Sequence, residues 1–321
     1  MWKKFEDVLD IINGKNQKKV ENPNGIYPIY GSGGVMGYAD DYLCEANTVV
    51  IGRKGSINNP IYVEEPFWNV DTAFGLVARK NVLLPKYLYL FCVNYDFNKL
   101  NTTVTIPSLT KANLLKIEID VPDIEEQKKI VEKLDSMIEL VRLQKDQIEQ
   151  LDTLIKSRFV EMFGDPVRND KQFGTIIGEN FFKLSNGKAV PEEKRKSAGI
   201  PAYGGNGISW YTNDTLVEKD TLVVGRVGFQ SGNVHLAYGP LWVTDNAMYI
   251  SEFHVEEYDL VFLSALMEHI NFMRFQDAGD LKKITQKPFM QMEFIFPPME
   301  MQHQYSAFVR QIDKLKFPYA S

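Results

Sequence analysis

The chain has 321 residues, 44% of them hydrophobic and 24% charged, which describes two globular domains of ordinary size rather than a disordered chain or one small module. A formal net charge of −6 argues against a generally basic surface for nucleic acid, and no run approaches the roughly 18 apolar residues that a bilayer span needs. Met1-Trp2-Lys3-Lys4-Phe5 leads into acidic residues rather than a signal-peptide core, so a cytoplasmic protein with no membrane partner is expected.

Taken in chain order, the first features are Asn13-Gly14-Lys15 and a glycine-rich turn, Tyr30-Gly31-Ser32-Gly33-Gly34. Thr48-Val49-Val50-Ile51 is β-branched and runs into glycine, so it reads as a buried strand ending in the tight turn Gly52-Arg53-Lys54-Gly55-Ser56. Pro85 to Asn94 is apolar and aromatic without an internal glycine or proline, and reads as a helix; an apolar, strand-like stretch then ends at Pro122. Cys44 and Cys92 lie far apart with no Cys or His partner at metal-ligand spacing, and read as small core residues.

After Pro122 the pattern changes. From Ile124 to Phe163 there is neither Gly nor Pro, and apolar residues keep a heptad, with Leu134, Val141, Ile148, Ile155 and Met162 at one position and Ile130, Met137 and Leu151 at the other. This predicts a long coiled-coil helix, about 60 Å at about 1.5 Å per residue, or about 17 base pairs of duplex. Gln144 and Arg158 interrupt its second row, and Gly164-Asp165-Pro166 stops it.

Beyond that stop the first part of the chain recurs. At an offset of 173 residues Asn186-Gly187-Lys188 repeats Asn13-Gly14-Lys15, Tyr203-Gly204-Gly205-Asn206-Gly207 repeats the glycine-rich turn, and Val223-Val224-Gly225-Arg226-Val227-Gly228 repeats the strand and its basic turn. Trp242, Asp245 and Ala247 match Trp68, Asp71 and Ala73 one residue later; with one further residue Ile284-Thr285-Gln286, Pro297 and Gln302 match Leu109-Thr110-Lys111, Pro122 and Gln127. Glu257 to Met273 reads as the counterpart helix. The expected fold is therefore α+β: two duplicated mixed α/β domains, 1–122 and 166–298, separated by a coiled-coil helix at 123–165 and followed by a shorter helix at 299–321.

Catalytic motifs are not found. Gly31-Ser32-Gly33-Gly34 lacks the Gly-Lys-Ser/Thr ending of a phosphate loop and the spacing of a dinucleotide fingerprint. Asn59-Pro60-Ile61-Tyr62 lacks the second proline of an adenine methyltransferase motif, and Pro122-Asp123 with Glu126-Gln127-Lys128 has too short a spacing for a nuclease. His235, His254, His269 and His303 show no metal-ligand pairing, so no metal is expected.

The glycine-flanked basic turns remain. An arginine there can reach a phosphate or pair bidentately with guanine, or it can pair with the repeated acid, Asp71 or Asp245. Both domains are without excess positive charge, 13 basic against 13 acidic residues over 1–122 and 11 against 15 over 176–298, so a duplex would need local basic loops and a more basic partner. The DNA-binding candidates are Lys15, Arg53, Lys54, Ser56, Asn58 and Asn59 in the first copy and Lys188, Arg226, Gln230, Ser231 and Asn233 in the second; residues that differ between the copies are the better candidates for reading sequence.

On these features the chain resembles the specificity subunits of type I restriction-modification enzymes. The resemblance rests on the Tyr-Gly-x-Gly-Gly turn, the strand ending in Gly-Arg-x-Gly, the stretch TIPSLTKANLLKIEIDVPDIEEQKKIVEKLD, the helix end SRFVEMFGDP and the second copy. It implies two target recognition domains, each reading half of a bipartite double-stranded DNA site, with helices that set the spacing and dock modification subunits. It also implies that methyl transfer from S-adenosylmethionine and ATP-driven cleavage belong to partner modification and restriction subunits, and that this chain is non-catalytic and holds no cofactor. Two other classes stay open: a duplicated protein-binding scaffold and a self-contained modification enzyme with disguised motifs. In the second copy the closing helix meets Phe317-Pro318 about 17 residues after Met299. Packed antiparallel it covers only the far half of the first helix, so Ile130, Leu134, Met137 and Val141 are expected to bind another chain, a modification subunit or a second copy of this protein, the alternative being that the first recognition domain folds over them.

Overall fold

The computed structural model describes residues 1–101, 107–279 and 281–316. The chain divides into two units, Met1–Leu143 and Gln144–Ser321.

In the first unit β1 (Trp2–Lys4), α1 (Phe5–Val8), β2 (Leu9–Asn13), β3 (Tyr27–Gly31), β4 (Gly34–Ala39), β5 (Thr48–Gly52), β6 (Ile61–Val63), β7 (Trp68–Asn69) and β8 (Ala73–Ala78) precede α2 (Pro85–Asn94), α3 (Lys111–Leu115), β9 (Glu118–Asp120) and α4 (Ile124–Phe163). They form an antiparallel sheet in the order β2-β8-β5-β6, a smaller sheet β4-β3-β7 with β3 and β7 parallel, and the pair β1-β9. Strand β5 is buried along its whole length because it is covered on both faces. Val49 and Ile51 enter the main core with Phe5, Phe74, Leu88 and Cys92, while Val50 alternates into a second cluster with Cys44, Val63 and Phe67. Both cysteines are free and buried, and desolvation pushes the Cys44 thiol up to about 12.

The second unit repeats this plan with β10 (Thr175–Ile177), α5 (Gly178–Phe181), β11 (Phe182–Asn186), β12 (Ile200–Gly204), β13 (Gly207–Thr212), β14 (Thr221–Gly225), β15 (Val234–Ala237), β16 (Trp242–Val243), β17 (Ala247–Phe253), α6 (Leu260–Ile270), α7 (Lys287–Gln291), β18 (Glu293–Ile295) and α8 (Met299–Lys316). Its sheets are β11-β17-β14-β15, β13-β12-β16 and β10-β18, and the pairing register follows the sequence offset: Trp2 faces Asp120 and Thr175 faces Ile295. Helix α6 is shorter than the expected 257–273. Asp259 accepts hydrogen bonds from the Val261 and Phe262 amides to start it, and Asn271, in the left-handed region at φ 57°, ends it.

The division between units falls inside α4 rather than at its ends. Its first turns belong to the first unit, where the buried Gln127 side chain accepts from Leu84 N and donates to the Val82 and Pro122 carbonyls, and Lys86 pairs with Asp135 at 2.7 Å. Its last turns belong to the second unit, where Phe159 and Phe163 pack on Phe262 and Tyr305. Helix α8 runs antiparallel to that end: Tyr305 meets Phe159 and Phe163, and about three turns later Lys316 pairs with Asp152 at 2.6 Å. Arg158, which breaks the heptad, lies over the Phe308 ring. Between these ends the stripe is uncovered, with Leu134 37%, Met137 50% and Val141 54% exposed and Ile130 half-buried. Ile138, Leu140 and Leu143 are also exposed, so the apolar surface extends beyond the two heptad rows. Among the described residues no helix is long and apolar enough to cross a membrane.

Candidate nucleic-acid interface

The repeated motifs meet at one end of each unit, where strand ends and their loops converge. In the first unit Gly52 closes β5 because a Cβ there would strike the Ser56 carbonyl and lie 2.9 Å from the Ser32 side chain; the glycine-rich turn and the basic turn are thus pressed together. The basic turn is held through its backbone, by Arg53 N to Thr72 O at 2.8 Å, Leu109 N to Arg53 O at 2.9 Å and Gly55 N to Pro107 O at 3.1 Å. Asn13-Gly14-Lys15 is fixed beside it: Lys15 N donates to Asn69 O at 2.8 Å, the Trp68 indole donates to Lys15 O at 2.9 Å, and a Cβ on Gly14 would run into the Val70 carbonyl.

The second unit builds the same frame from the matching residues. A Cβ on Gly225 would lie 2.5 Å from the Gln230 carbonyl oxygen and 2.7 Å from that of Gly205. Arg226 N donates to Asn246 O at 2.8 Å, Ile284 N to Arg226 O at 3.0 Å, and Trp242 Nε1 to Lys188 O at 2.8 Å. His235, on β15, packs against this frame, and burial holds its imidazole below the ordinary value of 6.5.

The candidate residues are placed unequally. Lys15, Arg53, Lys54, Ser56, Asn58, Asn59, Lys188 and Gln230 are exposed, Arg226 and Asn233 are half-buried, and Ser231 is buried. Ser231 therefore faces the interior and leaves the set of groups that can touch a base. Asn58 has its side-chain oxygen engaged by Phe97 N at 2.8 Å, so it orders the turn after α2, and Asn233 donates to Gln230 at 3.1 Å. Among the described residues Arg53 and Arg226 form no ion pair with Asp71 or Asp245; Arg53 lies over the Phe74 ring at 5.8 Å. The sequence pattern missed Phe229, Lys282 and Lys283, which join Arg226 around the second turn: Gly228 N donates to Lys282 O, and Val227 bridges Lys283. The signal was the replacement of Ser56 by Phe229 inside an otherwise matched turn. Among the described residues no group of three or more His, Cys, Asp or Glu side chains is placed to hold a metal.

This framework recurs in known proteins. The model of the family described as the type I restriction modification DNA specificity domain matches twice, over residues 1–153 and 177–317. A Haemophilus influenzae protein described as a type I restriction enzyme specificity subunit is 29% identical over 145 residues, 43% of this chain and 37% of that protein. The EcoDI specificity subunit of Escherichia coli is 22% identical over 251 residues, 74% of this chain and 53% of that one. The matched stretches thus span between about a third and about half of these relatives. The crystal structure of the type I restriction-modification S subunit from M. genitalium has the same fold, with a TM-score of 0.69 at 18% identity over 99% of this chain and 90% of that one.

Proposed function

Since the chain belongs to the type I restriction modification DNA specificity family, we propose that it is the sequence-reading subunit of a type I complex. Each unit reads one half of a bipartite duplex site, and α4 sets the spacing between the halves. The observation that carries this reading is the split within each site end: glycines, tryptophan and backbone bonds are repeated as a frame, while the exposed side chains on it differ, Lys54, Ser56 and Asn59 in one unit and Phe229 and Gln230 in the other. Two diverged readers on one frame suit an asymmetric site.

The chain supplies recognition without catalysis. Methyl transfer from S-adenosylmethionine and ATP-driven cleavage fall to modification and restriction subunits, and the complex works in the cytoplasm on chromosomal DNA. The uncovered α4 stripe around Leu134, Met137 and Val141 takes helices of a partner chain. Replacing Lys54 and Asn59 by Ala tests the reading: duplexes selected from a randomised pool, with modification subunits present, lose preference in one half-site and keep it in the other. Unchanged selection in both halves contradicts it.

A further inference from the structure

Phe229 is the most exposed large apolar side chain among the described residues, at 84%. It stands at the tip of the turn after β14, and that turn is stiff. Gly228 N donates to Lys282 O at 2.8 Å, Ser231 N to Gly228 O at 3.0 Å and Gly232 N to Gly225 O at 2.7 Å. The Gln276 amide donates both to Phe229 O at 3.2 Å and to Ser231 O at 2.6 Å. Gly228 and Gly232, at φ 95° and 93°, let the chain double back on either side of the ring.

The frame does not require this ring, because the matching residue of the first unit is Ser56. The backbones of Arg226, Lys282 and Lys283 adjoin its turn, and none of these three side chains forms an ion pair among the described residues. A fixed apolar prong on a turn that carries cations suits a duplex: the cations hold phosphates, and the ring takes the place of a stacked base.

We propose that Phe229 enters the base stack of the duplex held by the second unit and unstacks one step of its half-site, whereas the first unit, with Ser56, leaves its half-site stacked. The proposal rests on the reading of the chain as a DNA-recognition subunit. Its consequence is selectivity without a base-edge hydrogen bond, because pyrimidine–purine steps open more readily than others. The second half-site is then chosen partly by deformability.

The test uses the full chain, alone at low salt and with type I modification subunits. Duplexes selected by the unaltered chain from a randomised pool are resynthesised with 2-aminopurine at successive positions. The unaltered chain should raise the fluorescence several-fold at one step in the second unit's half-site and at none in the first's. Phe229→Ala should abolish the rise and weaken binding roughly tenfold, the order expected for one lost aromatic–base stack; Phe229→Trp should restore both. Circular dichroism melting should be unchanged in both variants, since Phe229 is 84% exposed. A rise that persists in Phe229→Ala overturns the proposal, as does a variant that loses modification subunits while keeping the rise, which would place the ring against protein. If the unaltered chain selects no duplex in either condition, the DNA-recognition reading itself fails.

Discussion

The Trp242 indole donates to the backbone carbonyl of Lys188 at 2.8 Å, and the same bond joins Trp68 to Lys15 at 2.9 Å in the first unit. In each unit a tryptophan on the short parallel strand thereby ties down the Asn-Gly-Lys segment whose lysine is exposed at the site end. Trp68→Phe keeps most of the buried ring and removes the donor. It should lower stability by about 1 kcal/mol in urea unfolding followed by circular dichroism. An unchanged midpoint would mean that the bond anchors nothing.

Gln127 and its counterpart Gln302 should not be equivalent. Gln127 makes three side-chain hydrogen bonds, one of them to the amide that opens α2, whereas Gln302 donates one, to Pro297 O at 2.8 Å, and Asp259 opens α6 instead. Gln127→Leu strands three backbone groups and should cost about 2–4 kcal/mol, against about 1–2 kcal/mol for Gln302→Leu. Equal losses in chemical unfolding would contradict this assignment.

Two glycines of the first unit should behave oppositely. A Cβ on Gly52 meets the Ser56 carbonyl and Ser32, while a Cβ on Gly33 meets nothing within 4 Å. Gly52→Ala should displace the basic turn and abolish selection of one half-site; Gly33→Ala should stay within about 0.5 kcal/mol of the parent with selection intact. Selection from randomised duplexes, alongside melting curves, reads both effects.

His235 should make the second unit acid-sensitive. Burial lowers its folded-state pKa below the ordinary 6.5, so the unfolded chain binds the proton more readily. The stability is fully present above about pH 6.5 and falls as the pH drops through that value. His235→Ile, which installs the residue found at Ile61, should remove this part of the slope. Urea midpoints at about pH 7.5 and about pH 5.5 compare the two proteins; identical slopes would contradict the assignment.

Much of this architecture could be read from residue order. The duplication, α2 and α4 followed from glycine and proline punctuation and from the heptad, because those signals are local. What escaped depends on contacts between distant segments. Ser231 sits in a divergent loop, yet Gly232 folds that loop back against Phe272 and Met273 and buries it. Arg158 interrupts the heptad but is used, since it meets Phe308 on a helix about 150 residues away in sequence. Lys282 and Lys283 reach the site only because Gly228 and Val227 pair with their segment.

The most direct test of two independent readers is a domain exchange. Residues 1–122 are replaced by the corresponding unit of another member of the family, and the methylated sequence is read genome-wide in cells that carry the modification subunit. One half of the methylated motif should change while the other half and the spacing stay the same. A change in both halves, or in neither, would contradict it.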